Sequence, residues 1–144
     1  MKSLQSLYMT LQAGEGFSVT TDQKTFTGRG YAVGGTAILP LVEDNYDLSF
    51  NKFADAVKTM ASLIHDTDTQ VIGGWIGDDG KAYVEVSDVV RSEFVAMELA
   101  ISRNEIAIYD FQNQKEIRNP HFVSGVTTTK VKVPARETAK TIGA

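Results

Sequence analysis

The chain contains no cysteine in its 144 residues, which excludes disulfide bridges, thiolate zinc sites and cysteine nucleophiles together. No apolar run approaches the ~20 residues that a bilayer-spanning helix needs. The first residues, MKSLQSLYMTLQAGEG, lack the continuous apolar stretch of a secretion signal. We therefore expect a soluble cytoplasmic protein that makes no contact with a membrane.

Basic residues are in the minority, with 14 Lys and Arg against 18 Asp and Glu, and the formal net charge is -4. Nucleic-acid binding requires clustered cations, so no direct contact with nucleic acid is expected. A basic protein partner remains compatible with this balance. The length predicts one domain over residues 1–121, followed by a Thr- and Lys-rich segment, 122–144, that is either a tail or an edge strand.

Helical spacing of apolar residues is clearest from Phe50 to Ile64, after the favourable N-cap residue Ser49. A second helix is predicted at about 92–103, where Asn104 favours the left-handed conformation that ends a helix. The leucines of residues 4–11 have the same spacing, which predicts a short N-terminal helix.

The segment QVIGGWIGDDGKAYVEVS indicates a β-hairpin, because an Asp-Asp-Gly turn separates two apolar runs. EIAIYDF and KEI, further along the chain, predict two more strands. In the glycine-rich N-terminal third, residues 17–20, 31–33 and 36–39 have an extended character. These short strands are expected to add to an edge of the sheet.

The predicted fold class is α+β. An antiparallel sheet forms from the hairpin at about 70–86 and the strands at about 105–117. Two amphipathic helices, at about 50–64 and 92–103, cover it.

Residues with catalytic chemistry do not form a recognisable constellation. The two histidines are His65, interpreted as a helix-end residue, and His121, in a loop, and they have no short metal-ligand spacing. Ser87 and Ser124 lie outside any G-x-S-x-G motif. We therefore predict no metal, no cofactor and no catalytic residue.

Glycines surround Arg29 in the run TGRGYAVGG, residues 27–35, which resembles a phosphate-binding loop only loosely. The run has no Gly-Lys-Ser/Thr ending, and the third glycine of a G-x-G-x-x-G pattern comes one residue late. A turn and a bulge between short strands is the favoured interpretation. Arg29 and Tyr31 stay candidates for binding an anionic partner.

Trp75 and Tyr83 have two interpretations, as core aromatics or as anchors of an interface. Asp78 and Asp79 are explained by turn chemistry, since D-D-G-K does not match a Ca²⁺-binding loop. Glu85 belongs to the same acidic neighbourhood. The predicted binding or interface residues are thus Arg29, Tyr31, Trp75, Tyr83 and Glu85.

Residues 16–117 resemble a family of small proteins from phages and mobile elements, which also occurs as a domain attached to phage head-associated proteins. The shared pattern comprises GGW, an acidic-Gly turn, GK-x-Y-x-x-VS, a helix with alanines, N-x-x-AI-x-D and KEI. The stretches GFSV, residues 16–19, and GYAVGG, residues 30–35, also resemble the N-terminal part of the family. The residues of the pattern here are Gly73, Gly74, Trp75, Gly80, Lys81, Tyr83, Val86, Ser87, Ala96, Ala100, Asn104, Ala107, Ile108, Asp110, Lys115, Glu116 and Ile117. The resemblance implies a phage or prophage setting, and no catalytic residues come with it.

Three functions remain open. The first is a non-catalytic protein-interaction protein, associated with the virion as a head or structural accessory and found in the host cytoplasm and the virion. Its partners would be other virion proteins or further copies of itself. The second is an early accessory protein that inhibits host defence or binds a small anionic ligand. The third is a toxin-type transferase or hydrolase that uses Tyr31, Arg29, His65 or Glu85.

Overall fold

The computed structural model describes residues 1–125 of the chain. Within these residues three α-helices accompany a seven-stranded antiparallel sheet, which confirms the α+β class. The helices are α1 (Leu4–Gln12), α2 (Phe50–Leu63) and α3 (Glu93–Arg103). The strands are β1 (Phe17–Val19), β2 (Tyr31–Val33), β3 (Leu41–Asp44), β4 (Gln70–Ile76), β5 (Lys81–Val90), β6 (Ala107–Asp110) and β7 (Lys115–Arg118).

Two compact units divide the chain. The first contains residues 1–26 and 40–86, and the second contains residues 27–39 with the described residues from Ser87 onward. The long strand β5 belongs to both, because its early residues pair with β3 and its last residues pair with β2. The prediction of a single domain over residues 1–121 is not tested by this division and stays a prediction.

The two predicted helices begin where the sequence indicated, and a serine side chain caps the first turn of each. The hydroxyl of Ser49 accepts a hydrogen bond from the Lys52 amide at 3.1 Å, and Ser92 accepts one from the Val95 amide at 3.2 Å. Asn104 adopts the left-handed conformation, with φ 51° and ψ 49°, and ends α3. Local sequence therefore determines both ends of α3.

Aromatic side chains hold α1 and α2 against the sheet in the first unit. The ring of Phe53, which is fully buried, lies 5.6 Å from Tyr8 and 6.0 Å from Phe17, centre to centre. The Tyr8 phenol donates a hydrogen bond of 2.6 Å to the Leu48 carbonyl. The buried residues on this side of the sheet are Leu7, Leu11, Val19, Val57, Met60, Ile72, Ala82, Val84 and Val86.

A buried arginine organises the second unit. Arg103, 1% exposed, donates from Nη1 to the carbonyls of Val33 and Gly34 and from Nη2 to Asp88 Oδ2 at 2.6 Å. It stands at the end of α3, which packs beside a small apolar core. That core consists of Val33, Ala96, Ala100 and Ile108.

Residues 36–39 are the clearest correction to the predicted elements. They form a bend rather than a strand, and the amide of Ile38 donates to the hydroxyl of Thr36 at 3.3 Å, a local bond that competes with strand pairing. The strand in this region is β3, which begins after Pro40. The alternative of an edge strand in the C-terminal segment concerns residues after 125 and lies outside the described residues.

Candidate functional site

The turn between β4 and β5 sets the register of the hairpin. The Gly77 amide donates to the Lys81 carbonyl at 2.8 Å, and the Gly80 amide donates to the Gly77 carbonyl at 3.0 Å. Gly80 has φ +78°, a conformation that favours glycine. Continuing this antiparallel register back along the strands places Trp75 directly opposite Tyr83.

The indole of Trp75 and the phenol ring of Tyr83 stack on one another. Their ring centres are 5.2 Å apart and their planes differ by 5°. A side chain at position 77 would collide with the Tyr83 ring, since an added Cβ at Gly77 would lie 2.7 Å from its Cε1. Gly77 therefore makes room for Tyr83, and both rings are half-buried.

The stack lies on the sheet face that α2 does not cover. Phe17 pairs with Gly74, and its ring meets Phe53 of α2, so Gly74 faces the helix. Because neighbouring residues of a strand point to opposite faces, Trp75 points away from α2. This placement is between the two interpretations drawn from the sequence, since Trp75 is neither a core residue nor fully exposed.

Val42 of β3 extends the stack to a third strand. It pairs with Tyr83 in register and therefore lies on the same face, where it is 43% exposed. We call Trp75, Tyr83 and Val42 the three-strand row. At the other end of the row, the register of β1 places Gly16 beside Trp75. The position directly beside the indole on that side therefore carries no side chain.

Hydrogen bonds fix the phenol of Tyr83 at the edge of the row. It donates to Asp79 Oδ2 at 2.6 Å, and Asp79 Oδ1 accepts from the Lys81 amide at 3.1 Å. The bond from Tyr83, followed by the bond from the Lys81 amide, holds the pKa of Asp79 below its usual range. Burial, then the bond to Asp79, raises the pKa of Tyr83 to about 12.

Carboxylates surround the three-strand row. Asp79 and Asp78 lie on the turn, and Asp44 and Glu85 lie two residues along the strand from Val42 and Tyr83, on the same face. We call these four residues the acidic rim. Lys81 pairs with Asp44 in register and lies on the same face. The four carboxylates and this lysine together carry more negative than positive charge.

Arg29 and Tyr31 belong to the second compact unit, whereas Trp75, Tyr83, Glu85 and His65 belong to the first. Arg29 is exposed just before β2. The Tyr31 phenol donates to Glu93 Oε1 at 3.4 Å, and burial, with the charges of Asp110 and Glu93, raises its pKa.

Close backbone approach explains glycines in the run around Arg29. Gly30 has φ +113°, and an added Cβ would lie 2.8 Å from the Val90 carbonyl oxygen. The Gly34 carbonyl accepts from the buried Arg103. Gly30 therefore lets the backbone pack against β5, which agrees with the structural interpretation of the run.

The two histidines and the two serines considered from the sequence differ in burial. His65 and His121 are exposed, Ser124 is exposed and Ser87 is buried. Within residues 1–125, no group of three or more His, Cys, Asp or Glu side chains is placed to hold a metal ion.

Three residues of the site were not predicted from the sequence: Val42, Asp44 and Gly16. The first two stand on β3, which has no alternating run of its own and forms only by pairing with β5. Arg103 was likewise assigned no role, since an arginine at a helix end is ordinarily exposed. The dipeptide Val42-Glu43 after Pro40 was the available signal for an edge strand.

Comparison with known proteins identifies no relative: no protein-family model, curated protein or solved structure matches this chain. The family resemblance described from the sequence therefore stays a hypothesis. Across residues 1–125, none of the helices has the length and apolar character to cross a membrane.

Proposed function

We propose that this chain is a non-catalytic protein-interaction protein, encoded by a phage or prophage, and that it is a head or structural accessory of the virion. The observation that supports the interaction role is the three-strand row. Trp75, Tyr83 and Val42 present adjacent apolar surface on the sheet face away from α2. The phage setting rests on the resemblance of residues 16–117 to the phage and mobile-element family.

The row has the properties of an interface anchor. Trp and Tyr are enriched where partners bury a few residues that carry most of the binding energy. Their side chains already have a defined arrangement, through the stack of Trp75 on Tyr83 and the hydrogen bond from Tyr83 to Asp79. These side chains therefore lose less conformational entropy when a partner binds than mobile side chains would.

Purified particles test the virion assignment. The particles of the phage that encodes the chain are separated by density and analysed by quantitative mass spectrometry. A structural accessory is expected at a fixed ratio to the major head protein in every preparation. A protein that is abundant in infected cells but missing from the particles contradicts the virion assignment.

Incorporation of surface variants tests the role of the three-strand row. Trp75→Ala is expected to reduce incorporation into particles, because it removes half of the aromatic stack. Phe94→Ala is the matched control, since Phe94 is an exposed aromatic residue of α3 in the other unit. Equal incorporation of both variants would assign the interaction to a different surface.

Arg29 supports a second candidate, the binding of a small anionic ligand by an early accessory protein. Its side chain is exposed between Gly28 and Gly30 at the start of β2. Isothermal calorimetry with a panel of nucleotides tests it, with Arg29→Ala expected to abolish binding and Arg91→Ala, exposed after β5, as the control. Absence of heat with every nucleotide refutes this candidate.

A further inference from the structure

Resting on the interaction role proposed above, we propose that the three-strand row and the acidic rim bind an extended, arginine-containing segment of another protein, with a guanidinium group stacked on Trp75. The row is an interaction surface, and its surroundings specify the chemistry of the partner. Two features of the first unit point to a cation, and a third points to an extended chain.

The first feature is a half-buried indole with a glycine beside it. Tyr83 covers one side of Trp75, at 5.2 Å between ring centres. The neighbouring position on β1 is Gly16, whose added Cβ would lie 3.9 Å from the Trp75 Cβ. A planar guanidinium group fits beside an indole in this position, and Trp is the best of the aromatic residues for cation–π contact.

The second feature is the charge of the rim. Asp44, Asp78 and Asp79 lie beside the row with Glu85, and Lys81 pairs with Asp44 in register. Asp79 is held ionised in place by the bonds from Tyr83 and the Lys81 amide. A basic segment gains attraction at this surface, whereas nucleic acid and acidic segments are repelled.

The third feature is the shape of the row. It crosses β4, β5 and β3, with neighbouring strands about 4.8 Å apart. From Trp75 to Val42 the row spans two strand spacings, roughly 10 Å, which is the length of about three residues of extended chain. An extended segment can place one side chain on Trp75 and another on Val42, and alternate residues can face the rim.

Peptide binding to the full chain tests this proposal. The probe is a fluorescein-labelled peptide of nine residues in which Arg and Ser alternate, and the matched controls replace Arg by citrulline, Lys or Glu. Trp75 is the only tryptophan, so its intrinsic fluorescence reports on this site alone. The Arg peptide is expected to change the Trp75 emission and to bind roughly tenfold more tightly than the uncharged citrulline peptide. The Glu peptide is expected not to bind.

Variants measure separately what the aromatic stack and the acidic rim contribute to peptide binding. By anisotropy of the labelled Arg peptide, Trp75→Ala and Gly16→Leu are expected to weaken binding several-fold, the latter by filling the space beside the indole. Asp79→Asn with Glu85→Gln is expected to flatten the salt dependence. Asp55→Asn, exposed on α2 on the opposite sheet face, is the control and is expected to have no effect. Equal affinity for the Arg and citrulline peptides, or unchanged affinity of Trp75→Ala, overturns the proposal.

A photo-crosslinking residue at position 42 distinguishes failure of this proposal from failure of the proposed function. In assembled particles, a crosslink to a basic segment of another virion protein supports both. A crosslink to a segment without Arg or Lys overturns the basic partner while the interaction role stands. Binding of the Arg peptide by a chain that is missing from particles supports the surface chemistry and contradicts the virion role.

Discussion

Tyr83 donates a hydrogen bond of 2.6 Å from its phenol to Oδ2 of Asp79, which lies on the turn that joins β4 to β5. The bond connects the tip of the hairpin to a ring that also stacks on Trp75. The bond lowers the pKa of Asp79 and raises the pKa of Tyr83, since it favours ionised Asp79 and neutral Tyr83. The order of the hairpin tip therefore depends on pH at both ends of the scale.

Titration in base tests the environment of Tyr83. Its pKa is about 12, because of burial and the bond to Asp79, against an ordinary value of about 10. The raised pKa stabilises the fold fully below pH ~10, and this contribution is lost as the pH rises through about 12. Ultraviolet absorbance of phenolate should show a late phase that Tyr83→Phe removes. A late phase that survives in Tyr83→Phe would assign it to another tyrosine.

Titration in acid tests Asp79. The folded-state pKa of Asp79 is lowered, chiefly by the hydrogen bond from Tyr83. Ionised Asp79 therefore stabilises the fold above the ordinary carboxyl pKa of about 4, and this stabilisation is lost as the pH falls through the lower folded-state pKa. Nuclear magnetic resonance of the side-chain carboxyl carbons measures this directly. In Tyr83→Phe the Asp79 titration should move upward. An unchanged midpoint would show that the bond from Tyr83 does not determine it.

Truncation of Trp75 should cost less stability than truncation of a core aromatic residue. Trp75→Ala is expected to lower the free energy of unfolding by about 1–2 kcal/mol, since it removes a half-buried stacked ring. Phe53→Ala, at a fully buried position, is expected to cost about 3–5 kcal/mol. Urea denaturation followed by circular dichroism measures both. Equal losses would place Trp75 in the core.

Replacement of Arg103 should destabilise the second unit. Arg103→Met removes the donors to the carbonyls of Val33 and Gly34 and the partner of Asp88, and is expected to cost about 3–5 kcal/mol. Arg91→Met is the control at an exposed arginine, with an expected change within about 0.5 kcal/mol. Hydrogen exchange should show faster exchange in β2 for Arg103→Met only. Equal stability of the two variants contradicts the role of Arg103.

Alanine substitutions at two glycines distinguish the cost of a steric clash from the cost of backbone strain. Gly14 and Gly30 both have positive φ, but an added Cβ meets nothing within 4 Å at Gly14 and a backbone carbonyl at 2.8 Å at Gly30. Gly14→Ala is expected to cost about 1–2 kcal/mol from strain alone. Gly30→Ala is expected to cost roughly 1–3 kcal/mol more, because the Val90 carbonyl cannot move freely. Thermal denaturation compares them, and equal costs would contradict the close approach.

Local patterns account for the elements that the sequence predicted well. Helical spacing with a serine cap located α2, observed at Phe50–Leu63, and the turn chemistry of Asp78-Asp79-Gly80 located the hairpin. The left-handed Asn104 ended α3 as expected. Each of these signals depends on contacts between residues a few positions apart.

Long-range pairing accounts for what the sequence did not show. Strand β3 has four residues and takes its place from β5, about forty residues further along the chain. The close approach at Gly30 likewise depends on Val90, a partner that only the folded chain brings near. Candidate residues for an interface were identifiable as Trp75, Tyr83 and Glu85, but their neighbours Val42, Asp44 and Gly16 were not.

The sequence by itself determined the α+β class, the caps of the helices and the turn of the hairpin, because these depend on side chains hydrogen-bonding or packing within one or two turns of chain. Only the tertiary structure decided that Trp75 stacks on Tyr83 on the sheet face away from α2, and that Arg103 is buried against Val33 and Gly34. Strand register decides which face a residue occupies, and register is set by partners that are distant in the chain.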